Sequence, residues 1–397
     1  MSRKKINIGL FGFGCVGQGL YDVLSKTPGL KANIQRICVK TKGKTRSIAE
    51  HHFTFDAQDI LNDPAINVVV ELIDDPDAAF QLVSEALRKR KAVVSANKKM
   101  IAEHFQELLT LQETYQTPFL YEAAVCASIP IIRNLEEYYD NDLLESISGI
   151  VNGSTNYILT KTGSEEISYQ DALKEAQAKG YAESNPELDT GGYDAKYKLQ
   201  ILVAHAFGLI VKPEALYHHG INELGPLELN YAKEKKLKVK LTANAFRNQS
   251  GKISAFVVPQ FIRPEEKLYQ VDDVYNAVVT KTAFADTQFF SGKGAGAHPT
   301  ASAVLSDLSA ITYDYRYEYK KRGSNDSLEQ DQAIKLRGLL RFSVQDASYY
   351  ARHLNTIEES YANQEEGYFT GEIGLNNLRK LQQERKGNFN FILLSKN

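Results

Sequence analysis

The chain has 397 residues, 43% of them hydrophobic and 24% charged, with a formal net charge of −2 at pH 7. That balance is ordinary for a soluble globular protein and gives no reason to expect nucleic acid or an anionic membrane as a partner. No apolar run approaches the ~20 residues that span a bilayer, and Cys15, Cys38 and Cys126 are too few and too widely spaced for a disulfide framework or a zinc site.

A chain this long exceeds one typical core, so two or three domains are expected. The opening MSRKKINIGLFGFG imitates a signal peptide, but Asn7 and the glycines break its apolar part and no small-residue cleavage site follows. A first β-strand and a cytoplasmic protein fit better. INIGLF (6–11) is that strand, followed by Gly12-Phe13-Gly14-Cys15-Val16-Gly17 and a helix to about Leu24. Further strands are expected in NIQRICVK, ending at Lys40, in NVVVELI (67–73), at Ala92–Ser95 and at Phe119-Leu120-Tyr121, with helices at 77–90 and 102–115. Strands alternating with helices imply a doubly wound, Rossmann-type parallel sheet over residues 1–133.

After about residue 143 the pattern changes to longer alternating segments: LLESISGIVNG, LKVKLTANAF, KISAFVVPQFI and YNAVVTKTAF. They predict an α+β domain over 134–296 with an open mixed sheet and helices near 169–179 and 194–207. Gly292 to Gly296 reads as a glycine-rich turn before a helix from Thr300 to about Ala310. Residues 297–322 are expected to return to the first domain, and the polar stretch 320–331 to be a linker. LLRFSVQD opens a small accessory region over 338–397 with a strand and a helix.

Gly12, Gly14 and Gly17 form a G-x-G-x-x-G pattern, weak alone but placed between a strand and a helix at the start of a βαβ unit. There the glycines allow the tight turn and let Gly14, Cys15, Val16 and Gly17 meet a pyrophosphate at the helix N-terminus. Beyond the second strand stand Lys40, Lys42, Lys44 and Arg46, with no acid before Glu50. A basic cluster suits the 2′-phosphate of NADP, although a solvated charged loop has the same composition. Lys98 follows a strand end, where ligands bind in such sheets; a plain surface lysine is the alternative. In Glu122-Ala123-Ala124-Val125-Cys126-Ala127-Ser128-Ile129-Pro130, carbonyls left unpaired by regular structure could hold a hard cation. Cys126 fits a small buried hydrophobe better than a nucleophile.

GYAESNPELDTGGYDAKYKL (180–199) gathers Glu183, Glu187, Asp189, Asp194, Lys196 and Lys198 in a loop that enters an apolar helix. With Asp194 as the helix start, Ala195, Leu199, Leu202, Val203 and Ala206 share one buried face. Asp194 and Lys198, four apart, then project from its edge, where desolvation tunes a lysine toward proton transfer. The alternative is a surface ion pair worth about 0.3–0.5 kcal/mol.

Taken in order, GFGCVG, VVSANK (93–98), EAAVCASIPII (122–132), GIVNGSTNYIL (149–159), GYAESNPELDTGGYDAKYKL and GKGAGAHPTASAVLSDL (292–308) closely resemble homoserine dehydrogenase over roughly residues 5–320. The resemblance implies reversible, NAD(P)-dependent interconversion of L-homoserine and L-aspartate 4-semialdehyde, in a protein that is commonly a homodimer. It makes Lys198 the acid/base and Asp194 its acidic partner. Glu183, Asp189 and Lys98 would hold the substrate, and Gly180, with Lys98, would approach the nicotinamide. Backbone atoms of Glu122, Val125, Ala127 and Ile129 would form a sodium site.

Three departures stand out. Asp74-Asp75-Pro76 replaces two glycines beside the cofactor, the one feature favouring a dinucleotide sensor without turnover. Cys126-Ala127 or Ala127-Ser128 replaces a glycine pair in the cation loop. Residues 338–397 faintly resemble a regulatory ACT domain, with Ala347-Ser348 in place of Pro-Gly. Another NADP oxidoreductase acting on a small amino-acid-derived aldehyde is the alternative enzyme.

Overall fold

The computed structural model describes residues 4–165, 167–322, 328–384 and 389–395. The chain forms two compact units, Met1–Asp140 with Gly292–Lys321, and Asn141–Ser291 with Arg322–Asn397. Part of the stretch 320–331, expected as a linker, lies outside the described residues.

In the first unit, β1 (Ile6–Phe11), β2 (Ala32–Cys38), β3 (Phe53–Thr54), β4 (Val68–Glu71), β5 (Ala92–Ser95) and β6 (Phe119–Leu120) make one sheet. Its order is β3-β2-β1-β4-β5-β6, parallel throughout. Ile8, Leu10, Val69, Val70, Val93 and Val94 are fully buried, as befits parallel strands covered on both faces. Strand order reverses between β1 and β4, the switch point outside which such sheets bind ligands. β2 stops at Cys38, so Lys40 is two residues past the strand and not its last residue. Ala297–Ile311 is one helix of this unit and packs so closely on helix Cys15–Ser25 that a Cβ on Gly19 would stand 2.7 Å from the Ala297 carbonyl oxygen.

The second unit is built on a mixed sheet of β7 (Leu144–Ile150), β8 (Tyr217–His218), β9 (Lys238–Arg247), β10 (Ile253–Ile262), β11 (Tyr275–Thr282), β12 (Asp286–Lys293), β13 (Lys335–Ser343), β14 (Leu354–Ala362), β15 (Glu366–Gly374) and β16 (Asn390–Leu394). The order is β12-β11-β7-β9-β10-β16-β13-β15-β14, with β8 beside β10. Gly292 and Lys293, expected in a turn, end β12. Residues 335–394 hold more than the expected strand and helix. Among the described residues they run β-α-β-β-α-β, with helices Ala347–Ala351 and Leu375–Glu384, and their strands lie in the split order β16-β13-β15-β14. This segment continues the sheet: β16 pairs parallel with β10 at Gln260–Leu393 and Phe261–Leu394.

Helix Tyr193–Phe207 packs on β9 and β10. It begins one residue before Asp194, after Gly192 in the left-handed region at φ +84°. The expected face is buried, but so is nearly everything else on this helix, Asp194, Lys196, Lys198 and Gln200 included. It is a core helix, not an amphipathic one. The Asp194–Lys198 pair is therefore enclosed and does not sit at the margin of an apolar stripe.

Candidate active site

At the end of β1 the chain turns through Gly12, at φ +94°, whose N–H donates to the Cys38 carbonyl at 3.0 Å. A Cβ on Gly12 would lie 2.5 Å from the Leu72 carbonyl oxygen, and one on Gly17 2.5 Å from that of Gly12. Both obstacles are backbone and cannot yield. Gly14 differs: nothing stands within 4 Å of its missing Cβ, and no side chain caps helix Cys15–Ser25, which it precedes. Open space against uncapped N–H groups is what a pyrophosphate requires, so the residues present fit a dinucleotide. Cys15 is exposed and Val16 half-buried at that helix start. Lys40 is exposed. Arg46, by contrast, closes its own loop, donating to the Thr41 and Lys44 carbonyls at 2.6 and 2.9 Å and lying over the Phe53 ring.

Glu71 ends β4 fully buried. Its carboxylate accepts the Ser95 hydroxyl at 2.5 Å and the Ile73 N–H at 2.7 Å, yet burial pushes it up to about 7. Ser95 Oγ accepts the Asn97 N–H at 3.1 Å, and Asn97 donates to the Ile73 carbonyl. The loop after β4 is thus tied to the turn that presents Lys98, a half-buried residue at the start of helix Lys98–Glu103. A lone acid in the apolar run VVVELI is the signal that could have marked Glu71. The Asp75 carboxylate caps helix Pro76–Arg88, accepting from the Asp77 and Ala78 N–H groups at 3.1 Å.

Glu122, Val125, Ala127 and Ile129 are buried together. The Glu122 carboxylate accepts from the Ile132 and Arg133 N–H groups, and its own N–H donates to Asp307, which pairs with Arg133 at 3.0 Å. Burial raises Glu122 to about 8 and Asp307 to about 7. Ala127 holds φ +44° and ψ −104°, a positive-φ conformation glycine adopts freely, at the place where the resembling family has a glycine pair. Among the described residues no cluster of His, Cys, Asp and Glu is suited to a metal.

In the second unit, the turn through Thr190, Gly191 and Gly192 delivers Asp194 to the first turn of its helix, where a carboxylate is favoured by the helix dipole. Packing fixes that turn: the Ile221 N–H donates to the Thr190 carbonyl at 2.7 Å, and a Cβ on Gly220 would fall 2.1 Å from the same oxygen. Lys198 Nζ lies 2.7 Å from Asp194 Oδ2 and donates to the Val151 carbonyl at 2.8 Å. The side chains are 10% and 5% exposed, so this is no solvated surface pair. Asn152 donates to both Asp189 and Asp194. Asp189, Asp194 and Lys198 thus meet in one cluster, together with Asn152 and the Val151 carbonyl, for which the sequence raised no expectation. Asn152 had a usable signal, an Asn-Gly-Ser-Thr stretch at the end of a strand. A backbone carbonyl had none. Glu183 stands apart: it is exposed, and its backbone carbonyl accepts from Gln177. Gly180 is exposed at φ +72° with open space where a Cβ would be.

Comparison with known proteins gives consistent matches. A family model described as homoserine dehydrogenase covers residues 130–309, and one described as homoserine dehydrogenase, NAD binding domain, covers 12–122. Homoserine dehydrogenase of Helicobacter pylori is 36% identical over 394 residues, spanning 96% of this chain and 89% of that protein. That of Bacillus subtilis is 36% identical, spanning 79% of this chain and 74% of its own length. The solved homoserine dehydrogenase of Thiobacillus denitrificans superimposes with a TM-score of 0.87 at 30% identity, covering 99% of each chain. A hyperthermophilic archaeal homoserine dehydrogenase in complex with NADPH superimposes at 0.68 and 27% identity, over 79% of this chain and 99% of that one.

Proposed function

Because the chain belongs to the homoserine dehydrogenase family, we propose that Lys198 is the acid/base of its reaction and Asp194 the carboxylate that holds it. The protein is an NAD(P)-dependent oxidoreductase of amino-acid biosynthesis that acts on a CH–OH group, interconverting L-homoserine and L-aspartate 4-semialdehyde. One observation carries the mechanistic assignment: a lysine enclosed in a core helix, gripped between Asp194 and the Val151 carbonyl.

The dinucleotide, when bound, supplies the hydride acceptor. The chain's own groups move the proton. In the oxidative direction the neutral Lys198 amine takes the proton of the substrate hydroxyl; in the reductive direction its ammonium polarises the aldehyde oxygen and returns the proton. Asp194 and Val151 fix Nζ, so little reorganisation is needed at the moment of transfer. Glu183 and Asp189 are assigned to the substrate ammonium and Lys98 to its carboxylate. Gly180 gives the bare backbone that can approach a nicotinamide.

The basic, exposed Lys40 past β2 favours NADP over NAD, and the NADPH complex of the archaeal relative supports that choice. We assign a sodium site to backbone oxygens at Glu122, Val125, Ala127 and Ile129, because a hard cation takes oxygen ligands and the positive φ of Ala127 turns the chain there. A homodimer remains part of the proposal, tested by light scattering during gel filtration. The test of the acid/base assignment is Lys198→Ala: homoserine-dependent reduction of NADP at 340 nm falls by at least ~10³-fold while cofactor binding is kept. Wild-type turnover in that variant would refute it.

A further inference from the structure

The Asp194–Lys198 pair has a third member. Asn152 is buried and caps helix Gly153–Ser164, its Oδ1 accepting the Thr155 N–H at 2.8 Å. Its Nδ2 donates twice, to Asp189 Oδ1 at 2.7 Å and to Asp194 Oδ2 at 2.8 Å. Lys198 donates to that same Asp194 oxygen, and to the carbonyl of Val151, the residue next to Asn152. The amide can face only one way. Turned over, it would set its oxygen against two carboxylates and its hydrogens against a backbone N–H.

We propose that Asn152 is the positioning residue of the acid/base pair, a neutral double donor that draws Asp189 and Asp194 together and sets the Asp194 carboxylate against Lys198. Two carboxylates this close repel each other, and an amide bridges them without adding charge. Because Asn152 also caps the helix, the place of the pair is tied to a rigid element and not to a side-chain rotamer. Val151 and Asn152 therefore act as one unit: one contributes the carbonyl that receives Lys198, the other the amide that receives its partner. The charged groups facing Asn152 are Asp189 and Asp194, with Lys198 beyond them; on the other side its partner is backbone.

This inference rests on Lys198 being the acid/base, and the test separates the two claims. Asn152→Asp keeps a capping oxygen for the Thr155 N–H, but it loses both donors and sets a third carboxylate against Asp189 and Asp194 inside the fold. The melting temperature falls, the rate constant for homoserine oxidation in the folded variant falls about tenfold, and its alkaline activation moves up by about one pH unit. Asn152→Ser, a capping residue too short to reach both carboxylates, shows the rate loss without the pH shift, and it carries the test should Asn152→Asp fail to fold. Rates and pH profile equal to wild type in a folded Asn152→Asp or Asn152→Ser would overturn the role of Asn152. Wild-type turnover in Lys198→Ala would overturn the acid/base assignment instead, whatever Asn152 does.

Discussion

Burial holds the Glu71 carboxyl at about 7 although the Ser95 hydroxyl and the Ile73 N–H both favour its charged form. A folded value above the usual 4.5 means that the native state keeps a proton the unfolded chain has released. Its contribution to stability is complete below about 4.5 and is lost as pH rises through about 7, by at most about 3 kcal/mol. Glu71→Gln keeps the acceptor but cannot ionise, so its urea midpoint should fall less between pH 4.5 and 7 than that of the wild type. An identical fall would show that Glu71 is ionised throughout. Lys40 belongs to the same scale. It is exposed two residues past β2, whereas Arg46 is engaged by its own loop. Lys40→Glu should move the ratio of KM values toward NAD by about tenfold, since a carboxylate there repels a 2′-phosphate and can accept from ribose hydroxyls. An unchanged ratio would remove Lys40 from the cofactor site.

Elements were legible where burial and periodicity agree. β1, β4 and β5 are covered on both faces and so appear as apolar runs. β14 did not stand out, because nearly every residue along it is exposed and no alternation survives. Helix Tyr193–Phe207 showed its apolar face, but not that its polar residues are enclosed too. Lys196 lies over the Tyr193 and Tyr197 rings and Lys198 meets Asp194, so these charges are satisfied inside the fold. β13, β16 and helix Leu375–Glu384 share a core with the rest of the second unit: Leu340, Phe342, Leu375 and Phe391 pack with Tyr217, Phe256 and Val258. The buried Arg341 pairs with Glu228 at 2.7 Å, and Asn390 links Glu228 to His219, one residue from the Gly220 that packs on Thr190. Deleting residues 333–397 should therefore lower the melting temperature by more than about 10 °C and abolish turnover. A soluble, active shortened chain would show the segment to be an appendage.

At the scale of the molecule, the groups assigned to cofactor binding and to proton transfer form two sets, each within its own unit. The first unit offers the bare glycine turn and uncapped helix start; the second offers the enclosed Asp194–Lys198 pair. Both were visible in the sequence because each needs particular residue types at fixed spacing: glycines where backbone crowds backbone, and an acid four residues before a lysine. The Val151 carbonyl was not, because a contact across more than 40 positions leaves no local pattern, and the Asn-Gly-Ser-Thr stretch marks Asn152 only as a helix cap, not its reach to Asp194. The most direct test of proton transfer by Lys198 is a single-turnover measurement at 340 nm, with homoserine and NADP both saturating, followed from neutral to alkaline pH. Proton transfer by Lys198 predicts a step that speeds up with pH in the wild type, and in Lys198→Ala a step at least ~10³-fold slower that has lost this rise. The same rate and the same pH dependence in both proteins would contradict it.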